Sequence, residues 1–280
     1  MGLRLHQVAP GRGLNWVRQG LTVWARRPLA FTSLFLFFLM TVMLLAWLLP
    51  YLGSVLGLAL LPMLSLGFMI ATRSALGDQP VHALQLIEGL RTVDARRRRS
   101  QLLLCAGYAL CSLAVFSLAN WVDGGLFHDL QRLLATRPKG PPTPEMDAVM
   151  ADPRLANGMF VRAALAALVS VPFWHAPALV HWGGQSAMQA LFSSTVAVWR
   201  SRAAFVVYML GLTGLVVLVG LALTLLALVT DSGEFVGLLA LALALGFSAM
   251  FYVSLWFSFQ DSFDAELPGQ SPPAAPADMA

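Results

Sequence analysis

The residues best suited to chemistry lie together in one apolar stretch, Val171 to Trp182, which reads VPFWHAPALVHW. Pro172, Trp174, His175, Pro177, His181 and Trp182 are the candidate ligand or kink site. Such a set could serve a metal, a moving proton or a bound solute, or it could mark a kinked helix whose polar groups only repair the backbone. A shared metal is disfavoured, because His175 and His181 sit about 240° apart on an ideal helix and no HExxH-type spacing occurs. Cys105 and Cys111 stand at the same awkward angle, so they neither bridge on one helix nor form a zinc pattern. No metal, cofactor or catalytic residue is expected. The chain has no phosphate-binding Walker loop, GxSxG elbow or dinucleotide fingerprint.

The elements that must position these residues follow from composition. Hydrophobic residues make up 58% of the 280 positions, charged residues 11%, and the mean hydropathy is +0.72. This excludes an ordinary soluble domain and predicts an all-α integral membrane protein. Apolar runs able to cross about 30 Å of hydrocarbon predict six transmembrane helices, over 29–49, 53–72, 101–121, 160–182, 204–229 and 235–257. Residues 1–28 form an N-terminal segment without a cleavable signal pattern, and 258–280 a disordered tail.

Charge supplies the orientation. The basic residues are all arginine except Lys139, and they collect before the first span, between the second and third, and between the fourth and fifth. Acids outnumber bases in the one long opposite loop, 122–158. The asymmetry predicts a multi-pass bacterial inner (plasma) membrane protein with cytoplasmic N- and C-termini and that loop outside. The stretch Arg137 to Asp147, RPKGPPTPEMD, interrupts the loop, and short helices are expected at 126–134 and 146–155.

The chain also repeats itself. GLTVWARR at Gly20 to Arg27 returns as GLRTVDARR at Gly89 to Arg97, and TVWARRPLAF echoes more faintly as TVAVWRSRAAF at Thr195 to Phe205. Each copy precedes an odd-numbered span. Leu14, Val17, Leu21 and Trp24 in the first, and Met188, Phe192, Thr195 and Trp199 in the third, recur at helical spacing. The expected plan is three repeats of an interfacial helix plus a transmembrane hairpin. Arg26, Arg27, Arg96, Arg97, Arg98, Arg99, Arg200 and Arg202 would then form collars facing anionic headgroups.

On LNWVRQGLTVWARRPLAF, LPMLSLGFMIATR, FWHAPALVHW and AVWRSRAAFVVY, the chain resembles an uncharacterised, locus-tag-named family of six-span inner-membrane proteins from beta-proteobacteria. The resemblance covers most of Leu14 to Phe257 and implies location, not activity. In plan alone the chain is similar to the membrane domain that accompanies some glycerophosphodiesterases, whose catalytic domain has no counterpart here.

In this frame His175 lies roughly 22 Å into the fourth span at 1.5 Å per residue, and His181 and Trp182 reach the cytoplasmic interface. Pro177 and Pro172 free the Phe173 and Leu168 carbonyls, which need donors from the Trp174 indole, the His175 ring or a neighbouring serine. His175 is read as a structural donor at a kink, with a ligand or ion path as the functional alternative. The expected function is non-catalytic: a component that binds or moves lipids or small solutes, or scaffolds other membrane proteins. The alternative is an intramembrane enzyme or proton-coupled carrier using His175, against which none of the six span interiors holds Asp, Glu or Lys. Expected partners are membrane lipids and other membrane proteins, with no nucleic acid.

Overall fold

In the computed structural model, six helical segments are long and apolar enough to cross a bilayer: Pro28–Leu48, Leu52–Leu76, Ala95–Asp123, Pro153–His181, Arg202–Val229 and Gly233–Ser262. The structure describes residues 4–49, 52–136, 143–230 and 233–263. Pro50 and Tyr51 between the first two spans, Asp231 and Ser232 between the last two, the proline-rich centre of the long loop with Lys139, and the expected tail beyond residue 263 lie outside the described residues.

The chain opens with α1 (Arg12–Arg26) and the first span α2 (Pro28–Leu48), which begins on a proline whose missing N–H costs nothing in a first turn. The second span runs through α3 (Leu52–Ala59) and α4 (Leu61–Leu76), which meet at a helical Leu60 where the ladder loses one bond, Pro62 being unable to donate to the Leu58 carbonyl. A 3-10 segment (Ala83–Leu90) leads to the third span α5 (Ala95–Asp123). The long loop carries α6 (Leu126–Thr136) and α7 (Pro144–Ala151). The fourth span is α8 (Pro153–Phe173) with α9 (Ala176–His181), followed by α10 (Ala187–Arg200), the fifth span α11 (Arg202–Val229) and the sixth, α12 (Gly233–Ser262).

Spans begin earlier than hydropathy predicts, because caps and not apolarity start a helix. The Asp94 carboxylate accepts from the Arg96 and Arg97 N–H groups, so the arginine run is the first turn of α5. Asp152 does the same for Arg154 at the start of α8.

The expectation of a tail from residue 258 is corrected. Helix α12 continues to Ser262, and Ser258, Phe259, Ser262 and Phe263 are buried. Polar Gln260 and Asp261 lower the local hydropathy, yet Asp261 faces into the protein.

Helix α4 is the centre of the bundle, with 61% of its span's window buried, and α11 is peripheral, with 6%. Leu210, Leu218, Leu221, Leu225 and Leu228 of α11 all stand exposed. In water each would forgo roughly 1.5 to 3 kcal/mol of burial, so this surface requires hydrocarbon.

The three segments expected as interfacial helices differ from one another. Helix α10 turns Met188, Phe192 and Trp199 outward and packs through Ala187, Ala190, Ser194 and Ala197. Helix α1 is instead docked against α11 and α12. Trp16 is fully buried against Phe205 and Tyr208, at 5.1 and 5.7 Å between ring centroids. Gly13 and Gly20 allow that approach, since a Cβ at either would meet the Ala204 carbonyl or Ser254. Of the predicted stripe, Leu14 and Leu21 stay exposed but Val17 is buried. The second copy is not an α-helix: its extra residue falls in the break between Leu90 and Ala95, where Asp94 replaces Trp24 and caps α5.

Candidate site at the interrupted spans

The fourth span breaks between Phe173 and Ala176, as its two prolines require. The repair comes from a residue outside the stretch. Ser194, on α10, accepts from the His175 backbone N–H at 3.0 Å and donates to the Val171 carbonyl at 3.0 Å. Gln101 of the third span donates to the Pro177 carbonyl at 2.8 Å. The expectation that the His175 ring serves a freed carbonyl is corrected: the ring bonds Ser258 instead, and Ser194 repairs the Val171 carbonyl, not the Phe173 or Leu168 carbonyl that the prolines free.

The His175 ring reaches across to the sixth span. Its Nε2 lies 3.2 Å from Ser258 Oγ, and the Trp174 indole donates to the same oxygen at 3.2 Å. Ser258 gives its own proton to the Leu255 carbonyl at 2.9 Å. With that proton committed, the network assigns the hydrogen to His175 Nε2. The ring is fully buried between Phe205, Phe259 and Phe263, with centroids 5.4 to 6.0 Å away, and its Nδ1 has no hydrogen-bond partner. His175 thus pins the broken fourth span to the sixth.

His181 and Trp182 lie at the arginine-rich end, but Trp182 does not stand in an exposed aromatic belt. It packs on Trp256 and Phe259 at 5.2 and 5.3 Å, with the Arg73 guanidinium 5.8 Å from its centroid. Of the predicted collar, Arg26, Arg96, Arg98, Arg99, Arg200 and Arg202 are exposed. Two arginines are tied into the protein: Arg27 donates to the Gln79 carbonyl and pairs with Asp78, and Arg97 donates to the His181 carbonyl and pairs with Asp94.

The second and fourth spans face one cavity. Leu61, Pro62 and Ser65 of α4, Ser170, Phe173 and Trp174 of the fourth span, Tyr108 of α5, and Phe251, Tyr252 and Leu255 of α12 line an open-sided cavity of about 180 Å³. Ser65 and Ser170 donate to carbonyls of their own helices, at 2.9 and 2.7 Å, which leaves their oxygens able to accept. Tyr252 lies about 15 Å from the Ser262 end at 1.5 Å per residue, well inside the hydrocarbon. An apolar chamber edged by phenols and serines can hold a small amphiphile or part of a lipid. Pro62 and the two tyrosines carry no motif at sequence level; only the interruption of an apolar run by a proline hinted at the irregularity in the second span.

Two ion pairs also escaped sequence reasoning. Asp261 accepts from Arg12 at 2.6 and 2.8 Å and from the Trp16 indole at 2.7 Å, fastening α1 to the end of α12. At the loop end, fully buried Asp123 pairs with Arg162 at 3.3 Å, over Gly158, where a Cβ would strike the carboxylate. Among the described residues no group of three His, Cys, Asp or Glu side chains is placed to hold a metal ion.

Over 269 residues the chain is 31% identical to a probable inner membrane protein of Burkholderia thailandensis, spanning 95% of this chain and 96% of that one. It belongs to that inner-membrane family, the one its four sequence blocks resemble. No family model matches the chain, and no solved structure does.

Proposed function

We propose that this inner-membrane protein is a non-catalytic component that binds a lipid or small solute in the chamber between its second and fourth spans. The observation that carries the reading is that the break of the fourth span and the Pro62 irregularity of the second line the same cavity. The fourth span leaves the helical ladder at Trp174 and His175, the second loses only the bond Pro62 cannot make, and such irregularities inside a membrane are kept where protein or a cavity compensates them. The ligand has an apolar body and a group able to donate to Ser65, Ser170 or a phenol oxygen. Catalysis is disfavoured, because no carboxylate or lysine lines the chamber to act as acid or base.

In this reading the arginine-rich end, with both termini, faces the cytoplasm, as the charge asymmetry supports. The chain order of an amphipathic segment followed by two spans supports a threefold repeat whose second unit has diverged at Asp94. Membrane lipids are the immediate partners, and the outward apolar face of α10 suits contact with the bilayer or another membrane protein.

A second reading, a proton-coupled carrier using His175, is favoured by one observation: the unpartnered, buried Nδ1. The two readings part on His175→Gln, which keeps an N–H donor but cannot titrate near neutral pH. The primary test is a native mass spectrum of the purified protein, which should show a retained ligand.

A further inference from the structure

A second cavity, of about 550 Å³, lies at the arginine-rich end and shares no lining residue with the interior chamber. Its walls are Arg73 and Ser74 from the last turn of α4, His82, Gln85 and Glu88 beside or within the 3-10 segment, and His181 at the end of α9.

Arg73 is the unusual member. Its guanidinium carbon lies 5.8 Å from the Trp182 centroid and 6.0 Å from that of Trp256, so two indoles fix its position. Its Nε is buried without a hydrogen-bond partner, and among the described residues no carboxylate pairs with it. Arg27 and Arg97, at the same end, each have one. A guanidinium drawn partly out of water and held over aromatic rings, with no carboxylate bonded to it, keeps donors free for an anion.

The other polar groups sort themselves. Gln85 is committed, donating to Ser74 Oγ at 3.1 Å and accepting from the His82 N–H at 3.1 Å. The His82 side chain is taken by the backbone it caps. Glu88, the one carboxylate in the lining, is turned to Arg91 at 3.8 Å and makes no ion pair with Arg73. That leaves the Arg73 fork, the Ser74 hydroxyl proton and the His181 ring to meet an anion.

We propose that this cavity binds a phosphate group, with Arg73 engaging two of its oxygens and Ser74 and His181 donating beside it. The phosphate can belong to a membrane lipid headgroup or to a soluble phosphate compound.

The test uses full-length protein in a neutral detergent, with binding read by native mass spectrometry. One arm adds phosphatidylglycerol, with diacylglycerol as its phosphate-free counterpart; the other adds inorganic phosphate without lipid. The wild type should bind at least one phosphate probe, and phosphatidylglycerol at least tenfold more tightly than diacylglycerol if the source is a lipid. Arg73→Ala should weaken that binding at least tenfold, Arg73→Lys about threefold, and Arg18→Ala, at an exposed arginine outside the cavity, not at all. Should Arg73→Ala fail to purify folded, Arg73→Lys carries the comparison. Binding of neither probe by the wild type, or equal weakening by Arg18→Ala, would overturn the proposal.

Discussion

His175 Nε2 and Ser258 Oγ meet at 3.2 Å in the buried interior, and this contact joins the broken fourth span to the sixth. Because Ser258 also accepts from Trp174, one hydroxyl anchors both residues of the break. Ser258→Ala should therefore destabilise the protein in detergent by about 1 kcal/mol, and His175→Leu by a similar amount, with His175→Gln nearly neutral. Denaturant unfolding in micelles checks this. If the double variant loses as much as the two single losses summed, the two residues are not coupled and the pinning role is wrong.

Ser194→Ala should cost more than Ser258→Ala. It strips the His175 N–H of its partner and leaves the Val171 carbonyl only the Trp174 N–H at 3.4 Å, and leaving a buried backbone group unpaired costs on the order of 1 to 3 kcal/mol. A smaller loss than that of Ser258→Ala would mean that another donor repairs the break.

Docking of α1 rests on close approach. Gly13→Val and Gly20→Leu should each detach α1, read as faster hydrogen exchange over 12–26 with α4 unchanged. Asp261→Asn should loosen the same segment less, since Arg12 is part exposed and surface ion pairs contribute little. Unaltered exchange in both glycine variants would contradict the docked arrangement.

Acid should fray the start of α8. Hydrogen bonding from Arg154 holds the Asp152 carboxyl below the usual carboxylate range. A depressed folded value means that the cap is fully present above the unfolded value of about 4 and is lost as pH falls below it. Exchange at residues 154–156, normalised for the intrinsic pH dependence, should rise below about pH 4 and not between about pH 6 and 8. A flat profile would show that the cap does not hold this end.

Topology is open to the same directness. Reporter fusions within α7 and after Phe263 should signal from opposite sides, with the C-terminal one cytoplasmic. A periplasmic signal after Phe263 would reverse the orientation.

The spans were legible because hydrocarbon demands long apolar runs, and the fourth-span break because proline cannot donate. What escaped was tertiary. Ser194 repairs the break from α10, a position with no fixed spacing from Pro172 or Pro177. Asp261 looked like the start of a solvated tail until Arg12 and Trp16 were found on it, about 245 residues away in sequence. Pro62 sat in a run apolar enough to pass as one unbroken span. Hydropathy averages over a window and cannot see a single missing N–H.

The most direct measurement is a native mass spectrum of the wild type beside Ser65→Phe, a variant that fills the chamber between the second and fourth spans. The account predicts a retained lipid or small molecule in the wild type, enriched over the bulk detergent and lipid, and its loss from Ser65→Phe at a closely similar melting temperature. Equal retention by both proteins, or a wild type carrying nothing beyond bulk lipid, would contradict a binding chamber at this site.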